Sequence, residues 1–347
     1  MAAVSFATLL DEISSAKAVT ASTARRGFDA IFAGEWPATQ VAAFLVALRV
    51  LGESAEVIAS AARSMRAQMV RVEHSFESVL DTCGTGGDGQ GTVNISTGAA
   101  IIAAAAGVPV AKHGNRAVSS QAGSADVLKA LGIQTDLSAA HAASVLAQAK
   151  IAFLLAPTHH PAMRHAMPAR RELAVRTIFN CLGPLTNPAG ATHQLIGAYA
   201  DELRPVMAET LRELGSVRAW VVRGADGLDE ISPYGPTRVT ALADDELREL
   251  EVTPADFGLP ISETGAAAGG SAEQNAEVIT RVLENEPHPA RSAFVLNAAA
   301  ALVVALDSKP RDAAERALEV LESGAARERL QLWREVTRQH AAQPVSA

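Results

Sequence analysis

At 347 residues the chain is long for one compact core, so two domains, or one large α/β domain with a helical extension, are expected. Its 48% hydrophobic and 4% aromatic content suits helix-rich layers of Ala, Val and Leu and excludes a disordered chain. A formal net charge of −8 argues against a general nucleic-acid binder, while leaving room for a local cationic site.

The first seventy residues read as helices, with no strand alternation. Thr39 and Gln40 lead into the apolar run 41–48, which Gly52 ends, and Ser54 is placed to cap a helix over 55–69. The character changes near Ser78. Residues 79–81 read as a short buried strand, followed by the loop Gly84-Thr85-Gly86-Gly87-Asp88-Gly89. Ser96-Thr97-Gly98 opens an Ala/Ile helix that runs to Ala106, and residues 108–111 read as the next strand. Ser124 caps a helix over 125–131, residues 137–150 form another, and 151–155 are strand-like. This alternation argues for a mainly parallel sheet with helical cover. Residues 157–188 mix loop and helix and are dense in His, Arg and Pro. Residues 195–199 and 219–222 read as further strands. The Gly/Ala-rich stretch 264–271 reads as a mobile loop, and 272–283, 293–306 and 311–321 as helices. The end, from Gln343, is expected to fray. No internal repeat is visible.

The longest apolar stretch, 98–111, is interrupted by Gly107 and Pro109 and is too short to span a bilayer. No basic leader precedes an apolar run, and Cys83 and Cys181 fit neither a zinc pattern nor a disulfide framework. The expectation is a cytoplasmic protein with free thiols, no membrane association and no nucleic-acid partner.

Glycines let backbone N–H groups approach an anion closely. An acid inside such a loop would repel bare phosphate, so Asp88 needs a metal ion, a ligand hydroxyl or a nearby cation. Gly84, Gly86 and Gly89 also satisfy G-x-G-x-x-G. The dinucleotide reading has poor context: the helix does not open at once, and the strand ending near Ala111 is followed by Lys112 rather than by an acid for a ribose hydroxyl. An ordinary Gly-rich turn is the plain alternative. Asn94-Ile95-Ser96-Thr97-Gly98 sits at a helix start, where exposed N–H groups favour an anion, although any single Ser or Thr there could be a simple cap. Asp229-Glu230 could hold Mg²⁺, which prefers oxygen ligands. Adjacent acids are common on solvated surfaces, as Asp244-Asp245 of this same chain illustrates, and taken alone the pair reads as surface. His159-His160 lacks further zinc ligands at suitable spacing. With Arg170-Arg171 nearby, its loop reads better as one that meets an aromatic carboxylate, which Arg can hold in a fork.

Together these pieces resemble the anthranilate phosphoribosyltransferase family. The resemblance is carried by Gly84-Thr85-Gly86-Gly87-Asp88, Asn94-Ile95-Ser96-Thr97 and the run from Lys112 through His113, Gly114, Asn115, Arg116, Ala117 and Val118 to Ser119. It continues through Gly123-Ser124-Ala125-Asp126, Arg170-Arg171-Glu172-Leu173, Arg176-Thr177-Ile178-Phe179-Asn180, Leu182-Gly183-Pro184-Leu185-Thr186-Asn187-Pro188 and Asp226-Gly227-Leu228-Asp229-Glu230-Ile231-Ser232. Each motif is modest, but the ordered set is specific and covers nearly the whole chain.

The resemblance implies an α/β fold of the nucleoside phosphorylase and phosphoribosyltransferase kind. A small discontinuous helical domain, residues 1–72 and 163–190, would mediate homodimerisation. A larger domain, residues 73–162 and 191–347, would carry a mainly parallel sheet and bind phosphoribosyl pyrophosphate (PRPP). The implied reaction transfers the phosphoribosyl group of PRPP to the amine of anthranilate, with Mg²⁺. By the same resemblance PRPP would be met by Gly84, Gly87, Asp88, Thr92, Asn94, Ile95, Ser96, Thr97, Lys112, His113, Gly114, Asn115, Arg116, Ala117, Val118, Ser119, Ser120 and Ser124. Anthranilate would be met by Gly84, His113, Asn115, His160, Arg170 and Gly183, and the metal by Ser96, Asp229 and Glu230. No covalent nucleophile or general base is assigned. Arg223 and Ser292 depart from the family's usual residues. The rival readings are a pyrimidine nucleoside phosphorylase-like enzyme, whose nucleobase-recognition pattern is missing, and a non-catalytic nucleic-acid-binding relative, against which the acidic balance and the Asp229-Glu230 pair argue.

Overall fold

The computed structural model describes residues 5–117 and 121–341. Four helices open the chain: α1 (Phe6–Ala16), α2 (Ala21–Ala33), α3 (Ala38–Leu51) and α4 (Ala55–Gln68). Side-chain caps start two of them. The Thr20 hydroxyl accepts from the Thr23 N–H at 3.1 Å, and Ser54 accepts from Val57 at 3.4 Å. Such a cap stabilises a helix by about 0.5–2 kcal/mol.

Alternation follows, as β1 (Leu80–Asp81), α5 (Ile95–Ala105), β2 (Val110–Gly114), α6 (Ser124–Ala130), α7 (Ala139–Ala149) and β3 (Ile151–Leu155). A run of short helices, α8 (Ala156–His159), α9 (Met167–Leu173) and α10 (Phe179–Leu185), returns the chain to β4 (His193–Gly197). Then come α11 (Leu203–Glu213), β5 (Arg218–Gly224), β6 (Thr237–Ala243) and β7 (Glu246–Val252). The last four helices are α12 (Ala272–Leu283), α13 (Arg291–Leu306), α14 (Pro310–Glu322) and α15 (Ala325–Ala341).

The seven strands form one sheet in the order β3-β2-β1-β4-β5-β6-β7. The first five are parallel, and β6 and β7 continue it antiparallel. Two hydrophobic cores share this sheet. One packs α5, α7 and α12–α15 around β1–β3; the other joins α1–α4, α9 and α10 to α11 and the opposite face of β4–β6. Strand alternation does the sorting: Leu195 faces the first core and Ile196 the second, and Val222 and Val221 divide likewise. Among the described residues no single helix is long and apolar enough to cross a membrane.

Several elements differ from the sequence reading. Strand β2 runs on into Lys112, His113 and Gly114, which were expected to lie beyond it. Helix α11, the β6–β7 hairpin and α15 were not anticipated. The hairpin turns on Asp244 and Asp245, both left-handed at φ 53° and 61°, so two acids take positions usually given to Asn-Gly. The stretch expected to be mobile, 264–271, is instead bonded to the glycine loop: Val93 N–H donates to Ala267 O at 2.9 Å, and Gly269 N–H to Gly91 O at 2.8 Å. The chain end from Gln343, expected to fray, lies outside the described residues.

Candidate active site

The glycine loop leaves the C-terminal end of β1 and is bolted at once to the end of β4. Thr85 donates to Gly197 O through its N–H at 2.9 Å and its hydroxyl at 3.1 Å. Beyond that anchor Gly86, Gly87, Gly89 and Gly91 are all left-handed, with φ between 62° and 86°. A Cβ at any of the four would meet open space, so backbone conformation rather than crowding calls for glycine there. The result is a strip of largely exposed backbone at the strand ends, where open α/β sheets take ligands. Thr92 pairs with Ala268 at the strip's far end.

Helix α5 has its N-terminus beside the strip's far end. Asn94 precedes it, and Ser96 and Thr97 form its first turn. The Thr97 hydroxyl is buried without a partner. Ile95 offers little to a ligand: its side chain is in the core, and its N–H is taken by Val93 O at 2.6 Å. Period two sends Lys112 and His113 to opposite faces of β2. Lys112 is 2% exposed, and its ammonium is held by Thr82 O at 3.1 Å, the Thr82 hydroxyl at 3.2 Å and the Ser96 hydroxyl at 3.2 Å. Its charge therefore sits directly behind the Ser96 hydroxyl.

Three carboxylates close the other side of the strip. The Glu230 carboxylate accepts from the Ser96 N–H at 3.2 Å, and the Asp88 carboxylate accepts from the Asp229 N–H at 3.4 Å. Burial and the neighbouring Asp88 charge raise Asp229 well above the usual carboxylate value, and burial and Asp229 do the same to Glu230. Arg223, one of the two departures, tempers this by facing Asp229. Taken alone the pair read as surface, whereas the resemblance placed it at the metal, and in the fold both acids are half-buried. Three carboxylates this close together suit a cation. Among the described residues no three acidic, imidazole or thiol groups are placed to cage one. Mg²⁺ is commonly held by one or two carboxylates, with waters and phosphate oxygens completing its shell.

On the opposite face of β2, His113 donates from Nδ1 to Gly183 O at 2.8 Å, leaving Nε2 without a partner. Burial lowers His113 to about 4 and His160 to about 2, with the ring centres 5.1 Å apart. Both rings are thus neutral. Arg170, on α9, lies over the Phe179 ring at 5.1 Å and forms no ion pair among the described residues, while burial lowers its pKa. It is a half-buried cation. A Cβ on Gly183 would meet open space.

The segment after β2 leaves Asn115, Arg116 and Ala117 exposed. Its return is fixed by Asp126, which the sequence reading left without a role. That carboxylate accepts from the N–H groups of Ala117 at 2.9 Å and Gly123 at 3.1 Å. Ser124 donates to Asn115 O at 3.3 Å, and a Cβ on Gly114 would strike its hydroxyl. The expected PRPP contacts Val118, Ser119 and Ser120 lie outside the described residues. Asp81 and Asn187 were also missed. The fully buried Asp81 carboxylate accepts from His113 N–H at 3.1 Å and Asn187 Nδ2 at 2.7 Å, tying β1, β2 and the segment after α10 together. Cys83 and Cys181 are both free, and burial pushes the Cys83 thiol well up, away from any nucleophilic use.

Residues 77–327 match the glycosyl transferase family α/β domain, and residues 7–69 its helical bundle domain. The chain is 46% identical over 326 residues to the anthranilate phosphoribosyltransferase of Rhodopseudomonas palustris strain BisB18, covering 94% of this chain and 96% of that one. It resembles the crystal structure of anthranilate phosphoribosyltransferase from Thermus thermophilus with a TM-score of 0.87 and 40% identity, over 92% of this chain and 96% of that one. The Saccharomyces cerevisiae enzyme in complex with PRPP and Mg is similar with a TM-score of 0.88 and 29% identity, over 96% and 99%. The yeast enzyme is also known in complex with 4-fluoroanthranilate, with a TM-score of 0.87, 28% identity and the same coverage.

Proposed function

We infer the work of each residue from one premise: the chain belongs to the anthranilate phosphoribosyltransferase family. It transfers the phosphoribosyl group of PRPP to the amine of anthranilate, giving N-(5-phosphoribosyl)anthranilate and pyrophosphate, a step of tryptophan biosynthesis that uses Mg²⁺. The carrying observation is the convergence of the glycine strip, the Ser96 end of α5 and the Asp229-Glu230 loop at one end of the sheet.

In this reading the pyrophosphate lies along the strip, met by backbone N–H groups around Gly87 and by the α5 N-terminus. Ser96, Asp229 and Glu230 are the residues that would hold Mg²⁺, with Asp88 on the rim facing the ribose hydroxyls. When bound, the ion neutralises the charge that builds on the leaving group. Lys112 adds positive potential behind Ser96. The C1–O bond to pyrophosphate breaks as the anthranilate nitrogen bonds to C1, and the resulting ammonium then loses a proton to solvent. Arg170 grips the anthranilate carboxylate, while His113 and His160 flank the ring as neutral surfaces. With its pKa near 4, His113 is a poor base at neutral pH, so no general base is assigned.

The helical domain is assigned residues 1–72 and 163–190, and the larger domain 73–162 and 191–347. The partner is a second copy of the chain, acting in the cytoplasm. Leu10 on α1 and Val46, Val50 and Leu51 on α3 are exposed apolar side chains suited to that contact. The test is anthranilate consumption, followed by fluorescence, with PRPP and varied Mg²⁺. The Asp229→Asn/Glu230→Gln double variant is expected to lose most turnover and need at least tenfold more Mg²⁺ for the remainder. Overlapping Mg²⁺ titrations for the two proteins would return the pair to the surface reading.

A further inference from the structure

We propose that Asn275 is a positioning residue for the PRPP site, acting through the side chain of Asn94. The proposal rests on the assignment of the Asn94 end of α5 to that substrate. Asn275 lies in the first turn of α12, 181 residues from Asn94 in sequence, and is 3% exposed. Its Oδ1 accepts from the Gly270 N–H at 2.8 Å, and its Nδ2 donates to Asn94 Oδ1 at 2.9 Å. Asn94 in turn donates from Nδ2 to Ala122 O at 3.3 Å.

This chain of amides has only one orientation. An amide group has a donor end and an acceptor end, and here each end of both side chains meets a partner of the opposite kind. Gly270 supplies only an N–H, so the Asn275 oxygen must face it and its nitrogen must face Asn94. The Asn94 oxygen must then face α12 and its nitrogen Ala122. Such a fully matched network fixes a single arrangement, and losing one member leaves the next free to turn.

Three segments meet at this point. The first is the far end of the glycine strip, 91–94, already paired with 267–269. The second returns from the exposed 115–117 segment at Ala122. The third is the start of α12, held by the reciprocal cap in which the Ser271 hydroxyl accepts from the Gln274 N–H at 3.3 Å and the Gln274 side chain accepts from the Ser271 N–H at 2.9 Å. Asn275 therefore passes the position of a rigid helix to Asn94, and Asn94 sets the gap between two loops assigned to PRPP. On the anthranilate side, Arg170 and Gly183 belong to other elements, α9 and α10.

The deciding variant is Asn275→Asp. It keeps an acceptor for Gly270 but turns an oxygen toward Asn94 Oδ1. Asn275→Ser, small and neutral, is measured beside it so that a folding defect in one leaves the other to decide. PRPP affinity by calorimetry, the KM of each substrate, the melting temperature and hydrogen exchange over residues 92–97 are compared with wild type. The expected result is a PRPP Kd and KM at least fivefold higher and faster exchange over 92–97, with the anthranilate KM at saturating PRPP within twofold. Unchanged PRPP affinity in a folded variant, or an equal rise in both KM values, would overturn the role of Asn275. Failure of the wild-type protein to bind PRPP would instead overturn the substrate assignment beneath it.

Discussion

At the scale of single residues, charge left without a partner is the feature that separates this site from ordinary surface. Arg170 has an aromatic ring beside it and no carboxylate within ion-pair reach among the described residues. Arg170→Ala should cost about 1.5–3 kcal/mol of anthranilate binding, on the order of ten- to a hundredfold in its KM, as for a lost charge-assisted bond. The PRPP KM should stay near wild type, and steady-state kinetics with each substrate varied checks this. The histidines carry the opposite lesson. Burial holds His113 and His160 well below the usual imidazole value, so the unfolded chain takes up protons before the folded one. Their contribution to stability is whole above about pH 6.5 and is lost as pH falls toward the folded values. Moving from pH 7 to pH 5 should cost about 2 kcal/mol for each such histidine, and His160→Gln should remove about that much of the loss. Urea unfolding at the two pH values measures it, and an unchanged pH dependence in the variant would contradict the assignment.

At the scale of elements, the Asp229-Glu230 loop is held by the ends of other elements. The Asn297 side chain on α13 grips Ile231 as a peptide group would, accepting from its N–H at 2.9 Å and donating to its carbonyl at 2.9 Å. Gly197, the last residue of β4, lies so close that an added Cβ would sit 1.5 Å from Asp229 O. No side chain there can rotate out of the way, because the obstacle is backbone. Gly197→Ala should therefore push the loop aside and cost about 1–3 kcal/mol, as overpacking does. It should also raise the Mg²⁺ concentration needed for half-maximal activity. Denaturation and Mg²⁺ titration of the same preparation would show both changes together, and normal values for both would mean that the loop is free to move.

At the scale of the whole molecule, two cores share one sheet, and the site lies where they meet. Arg170 and Gly183 come from helices in the second core, whereas the glycine strip and α5 belong with the first. Any rocking of one core against the other would change the gap between the two substrates, and closure would exclude the water that hydrolyses PRPP. The exposed apolar face of α3 should be covered by a second copy. Val46→Asp/Val50→Asp, a pair one helical turn apart, should shift sedimentation from dimer to monomer. A monomeric wild type, or a dimer that survives the change, would move the interface elsewhere.

Much of this molecule was written in local sequence. The alternation of strand and helix, the glycine strip and the position of α5 follow from short-range chemistry: backbone freedom and apolar period. What stayed hidden depends on neighbours far away in the chain. Lys112 and His113 stand on a strand because β2 has β1 and β3 beside it, and only the sheet's pleat sends them to opposite faces. Asp229 and Glu230 look like any surface pair until β4 and α13 fold their loop against Ser96. The segment 264–271 has a linker's composition, yet backbone bonds to the glycine strip order it, and side-chain type does not encode such bonds. The residue types that can bind these substrates were set by the sequence alone. Their spacing, burial and charge state were decided by tertiary contacts, because desolvation and the Coulomb interaction act through space and not along the chain.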